Sequence, residues 1–167
     1  MSTPYEIFPR LEGIVGSIGT GVKQPVALWV KQMKEVMLSD KNKDKTDWEF
    51  AVSEDIDESA NDIETGGKLY GILIGQNSAD AETDFFVAAN DADGTFTFDG
   101  SAALDNTVLF VTNLPAAATD NTEEYHPFIF PHGISFSAHM VLGADGQDGA
   151  NPAASDIRAW VLYRTTA

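Results

Sequence analysis

With 167 residues, 43% of them hydrophobic, the chain is long enough to bury a real core, and its three Trp, four Tyr and ten Phe exclude disorder for the whole. A formal net charge of −16, from 26 acids against ten Lys and Arg, disfavours direct binding to nucleic-acid phosphates or to a membrane of anionic lipid. Cysteine is absent, which removes disulfide staples and thiolate metal sites alike.

The distribution of charge says more than its total. Residues 1–45 hold seven bases and five acids, residues 46–157 hold twenty-one acids and the single base Lys68, and Arg158 and Arg164 follow near the end. This pattern predicts an acidic body facing solvent and a near-neutral N-terminal segment that engages something else. No apolar run approaches the roughly 20 residues that span a bilayer, and no basic stretch leads into a long apolar one. Neither a membrane span nor a secretory signal is expected.

Residues 1–25 read as an extended arm. Gly13 to Gly21 is rich in glycine and aliphatic residues, with no charge between Glu12 and Lys23, and such a stretch can lie along another surface. Its candidate contact residues are Tyr5, Phe8, Leu11, Ile14, Val15 and Ile18. The run lacks the lysine of a phosphate loop, and its glycine spacing does not match a dinucleotide fingerprint.

Residues 26–45 hold a helix or a strand and then a charged turn. Val26, Trp29, Val30, Met33 and Met37 recur at helical spacing after Pro25, although Val26, Leu28 and Val30 also fit a strand. Asp40 to Lys45 is a charged turn of the kind that usually faces solvent.

Residues 46–167 read as a sandwich domain. Trp48, Phe50 and Val52 alternate with Asp47, Glu49 and Ala51, whereas Ser53 to Glu64 reads as an acidic loop. Leu69 to Ile74 is continuously apolar, as expected of a central strand covered on both faces. Phe85 to Ala89 and Thr95 to Phe98 flank a turn at Asn90 to Gly94, and Thr107 to Thr112, Pro127 to Phe130 and Ile157 to Tyr163 add further strands. The clearest alternation runs from Ile134 to Leu142, read as one strand with Ile134, Phe136, Ala138, Met140 and Leu142 on its apolar side. About eight strands without intervening helices predict a mainly β, antiparallel, jelly-roll-like sandwich, with the N-terminal arm and room for one short helix.

Little in this chain suggests chemistry. His126, His132 and His139 are spaced as surface or structural residues and not as metal ligands. Asn90 to Gly94 fails the calcium-loop pattern, Asp145 to Gly149 is a flexible acidic turn, and no serine sits in a nucleophile elbow. No catalytic residue, metal or cofactor is assigned. Trp160 shares a strand face with Arg158, Leu162 and Arg164, a mixed surface that suits a subunit interface.

Gly67-Lys-Leu-Tyr-Gly-Ile72, Phe130-Pro-His-Gly-Ile-Ser-Phe136 and Trp160-Val-Leu-Tyr-Arg164 resemble patterns in small virion surface proteins of tailed bacteriophages. The resemblance covers roughly residues 66–165, rests mainly on structural punctuation, and brings no catalytic residues. It implies a non-enzymatic head decoration, or cement, protein on the capsid exterior. Such a protein would bind the major capsid protein and its own copies, as a trimer at a threefold position. The alternative is a receptor- or glycan-binding module of a phage fibre or tail.

Overall fold

In the computed structural model the described residues are 2–17, 23–53, 61–64, 66–76, 83–90, 107–114, 124–136, 139–146 and 157–165. They form two helices, α1 (Pro4–Ser17) and α2 (Lys23–Met37), and eight strands. The strands are β1 (Trp48–Ser53), β2 (Asn61–Glu64), β3 (Gly67–Gln76), β4 (Thr83–Asn90), β5 (Thr107–Leu114), β6 (Glu124–Phe136), β7 (His139–Gly146) and β8 (Ile157–Arg164).

The strands form two four-stranded antiparallel sheets, ordered β1-β8-β3-β6 and β2-β7-β4-β5. Consecutive strands repeatedly cross from one sheet to the other, which is the double Greek-key wrapping of a jelly roll. The expectation of a mainly β, antiparallel sandwich holds. Between the sheets lies one core, in which Leu69, Ile72 and Ile74 of β3 and Ile157, Ala159 and Val161 of β8 meet Phe85, Val87, Met140 and Leu142.

A second core lies on the other face of the β1-β8-β3-β6 sheet. Ile7, Leu11 and Ile14 of α1 and Val26, Trp29, Val30, Met33 and Met37 of α2 pack there with Trp48, Phe50, Tyr70, Leu73, Tyr125, Trp160 and Leu162. The central strands β3 and β8 are therefore buried on both faces, which is why Leu69 to Ile74 reads as continuously apolar. A bulge helps to divide β3 between the two cores. The register slips between Leu69 and Gly71 against both neighbours, so that Tyr70 faces the helices while Leu69 and Ile72 both face the sandwich.

The extended arm is not what forms. Thr3-Pro-Tyr-Glu6 starts a helix instead: the Thr3 hydroxyl and backbone N–H donate to Glu6 Oε1, the Glu6 N–H donates to the Thr3 carbonyl, and Pro4 takes the first helical position. Ile7, Leu11 and Ile14 follow on one helical face, and their burial against α2 and β1 supplies what a free arm would lack. The segment also seals the β1 edge, since Trp48 N–H donates to the Ser2 carbonyl and Arg10 Nη2 donates to the Phe50 carbonyl at 2.6 Å.

Residues 26–37 are helical throughout, and all five residues at helical spacing are buried. In the charged turn after α2, Asn42 is an exception to the expected solvation. It is buried and its Nδ2 donates to the Val36 carbonyl at 3.0 Å, closing the helix end together with the Ser39 hydroxyl.

Two strand expectations change. The acidic loop Ser53 to Glu64 contains β2, an edge strand with a single apolar residue, Ile63, held by pairing with β7. The stretch Ile134 to Leu142 is not one strand: it ends β6 in one sheet and begins β7 in the other. Its alternation survives the crossing because Phe136, Met140 and Leu142 all point into the same core. The expected strand at Thr95 to Phe98 and the turns at 91–94 and 147–149 lie outside the described residues.

Candidate functional site

The residues expected to contact a partner through an arm are largely consumed by the fold. Leu11 and Ile14 are core, and Phe8 and Val15 pack partly against it. Tyr5 alone is strongly exposed, at 68%, edge-on to the Phe8 ring. Ile18 lies outside the described residues.

The outer face of β8 is likewise covered. Trp160 and Leu162 sit beneath the helices in the second core, which removes them from any subunit interface. Arg158 lies over the Trp160 ring at 4.7 Å and donates to the Tyr125 hydroxyl at 3.1 Å. Arg164 is clamped by Asp47, with Nε and Nη2 donating to Oδ1 and Oδ2 at 2.8 and 3.1 Å. Burial lowers the Arg164 pKa, but its hydrogen bonds to Asp47 and Tyr70 outweigh that and hold the guanidinium charged. The face is mixed in composition, as the sequence suggests, because an internal helix layer covers it.

The histidines separate. His126, on β6, donates from Nε2 to Gln76 Oε1 at 3.1 Å, and burial holds its pKa below 6.5 against the opposing charge of Glu124. His132 is exposed on the bulged part of β6, and His139 begins β7. Among the described residues no three His, Asp or Glu side chains converge as a metal site would need. Among those residues, too, no helix is long and apolar enough to cross a membrane.

An open groove of about 680 Å³ lies between the C-terminal end of α2 with its following turn and the end of the β8-β3-β6 sheet. Val36, Tyr70, Ile129 and Pro131 provide apolar surface, and Lys41, Lys68, His132 and Arg164 bring basic groups to it. Glu35 and Asp40 lie on its helical side. The groove owes its shape to β6, where four residues, 130–133, stand against the one bulged residue Tyr70 of β3. Gly133 sits there with φ of +75°, a conformation that favours glycine. Sequence reasoning marked Phe130 to Phe136 as a turn into a strand, but Lys68 and Lys41 gave no local signal of sharing a site.

No protein-family model matches the chain, and no curated protein sequence does. Among solved structures, it is similar to the coat protein dimer of tobacco streak virus, at 14% identity over 72% of this chain and 88% of that one, with a TM-score of 0.32. It is similar also to the particle structure of infectious bursal disease virus, at 11% identity over 75% of this chain and 38% of that one, with a TM-score of 0.30. A VP2 variant of that virus in derived particles gives 13% identity over 72% and 36%, again with a TM-score of 0.30. The chain spans little more than a third of those bursal disease virus chains. Likenesses at these TM-scores fix neither fold nor function, and the jelly-roll assignment rests on the strand order above.

Proposed function

We propose that this protein is a non-enzymatic structural component of a virion that associates with copies of itself. The observation that carries the reading is the strand order β1-β8-β3-β6 and β2-β7-β4-β5, a wrapping used by viral capsid and lectin domains. Two further features support it. The helices seal the outer face of one sheet, giving a rigid three-layer body, and the excess of acids keeps that body soluble when it is locally crowded.

The finer role that fits best is decoration of the outside of a phage head, as a symmetric oligomer, a trimer in the simplest case, bound to the major capsid protein. Its contact cannot be an extended N-terminal arm, because that segment is folded into the core. Binding would instead sum several modest contacts per oligomer through effective concentration. The lectin use of the same wrapping keeps one rival in play, a glycan-binding module of a fibre or tail. Light scattering at moderate salt and a glycan array separate them. A stable symmetric oligomer that binds no sugar is expected, and a monomer with defined glycan specificity would overturn the decoration role.

A further inference from the structure

Lys68 is the single base among residues 46–157, and a second cation is its cross-strand neighbour. It stands directly opposite Arg164 in the β3–β8 register, and like charges across a strand pair destabilise it. Asp47 spends both carboxylate oxygens on Arg164. Among the described residues neither Lys68 nor Lys41 has an ion pair within the chain. Lys68 is partly buried. Its aliphatic stem lies against Gly133, where an added Cβ would come within 3.1 Å of Lys68 Cβ and 3.2 Å of its Cδ.

Three facts thus meet at the groove: a lysine without an ion pair among the described residues, a second such lysine across from it, and a volume of about 680 Å³, within the range of binding sites. Lys68, His132 and Arg164 lie on the sheet side, where Asp47 already answers Arg164, whereas the acids Glu35 and Asp40 belong, with Lys41, to the helical side. Asp40 lies 3.8 Å from Lys43 and is partly answered there.

We propose that this groove is the receiving half of a contact between two copies of the chain, in which Lys68 and Lys41 accept carboxylates from an acidic segment of the neighbouring copy. The occupant follows from charge. Twenty-one acids lie in residues 46–157, so a second copy is a partner of the required sign at equal concentration. The inference deepens the proposed self-association and rests on it for its occupant.

The test is the mass of the purified full chain by light scattering across a salt series, for the wild type, for K41E/K68E, and for K31E as a control on the exposed face of α2. The double variant is expected to weaken association at least about tenfold relative to the wild type at the same salt concentration. K31E should change nothing. Arg164 keeps its partner Asp47 in K41E/K68E, so the fold should be retained, which a melting temperature checks. Carbodiimide coupling of mixed 14N- and 15N-labelled protein should join Lys68 or Lys41 of one copy to an acid of residues 46–157 in another. An oligomer untouched by K41E/K68E, with no intermolecular links from either lysine, would overturn the groove contact while leaving self-association intact. A wild type that stays monomeric at every salt concentration would overturn both.

Discussion

Asp47, just before the first strand, holds Arg164, the last residue of the eighth, through a two-pronged ion pair spanning 117 positions of sequence. Both side chains are nearly buried, at 11% and 12% exposure, and Thr165 N–H donates to the Asp47 carbonyl beside them. The pair ties the start of the jelly roll to its end. Asp47→Ala leaves a buried guanidinium unpaired and next to Lys68, and should cost about 3–5 kcal/mol. A urea midpoint at neutral pH measures this; a midpoint within error of the wild type would mean that the pair does not hold the strands.

Helix α1 is expected to be integral to the fold. Burying Ile7, Leu11 and Ile14 contributes roughly 1.5–3 kcal/mol for each side chain, a sum comparable with the roughly 5–15 kcal/mol total stability of a domain. Leu11→Ala should cost about 2–5 kcal/mol, and removal of residues 2–17 should give insoluble or unfolded protein. A soluble truncated chain with an unchanged urea midpoint would restore the picture of a free arm.

How much of this was legible depends on which signals are local. Helix α2 and strand β3 carry dense periodic patterns, and both lie where those patterns put them. Helix α1 carries a signal too, the Thr3-x-x-Glu6 box with Pro4 between, but the glycines from Gly13 onward point toward an extended chain and obscure it. Alternation reports which face a residue takes and not which sheet it belongs to. Phe136 and Met140 therefore read as one strand although they sit in opposed sheets around one core. Strand β2 has one apolar residue and exists through its pairing with β7, which no local window shows. The Trp160 face looked like an interface because its cover comes from helices more than 120 residues earlier. Of the groove, only the turn at Gly133 was visible, since Lys41, Lys68 and Arg164 meet through topology alone.

The close approach of β3 to β8 makes Gly67 the least replaceable glycine of the sheet. A Cβ there would lie 1.8 Å from the backbone oxygen of Arg164, which cannot move without breaking the strand pair. Gly67→Ala should lose several kcal/mol or fail to fold, as strain and overpacking in a tight core do. Thermal unfolding followed by circular dichroism checks it, and a melting temperature within a degree of the wild type would contradict the packing described.

The half-buried position of His126 sets a pH dependence. Its pKa in the fold lies below 6.5, chiefly through burial, so below about that pH the unfolded chain binds more protons than the folded one. Stability contributed at this site is therefore intact above pH 6.5 and falls as pH drops below it. Acidification also relieves repulsion among the carboxylates, so the comparison must be between proteins. The difference in urea midpoint between wild type and His126→Gln should shift against the wild type from pH 7.5 to pH 5.5. A difference independent of pH would show that the histidine titrates alike in both states.

The central claim, that the protein belongs to a virion, is tested most directly by immunogold electron microscopy of particles from the source, with antibody raised against the purified chain. The account predicts gold on intact particles, spread over the head surface if the protein decorates it. Label confined to soluble protein, with particles bare at saturating antibody before and after disruption, would contradict it.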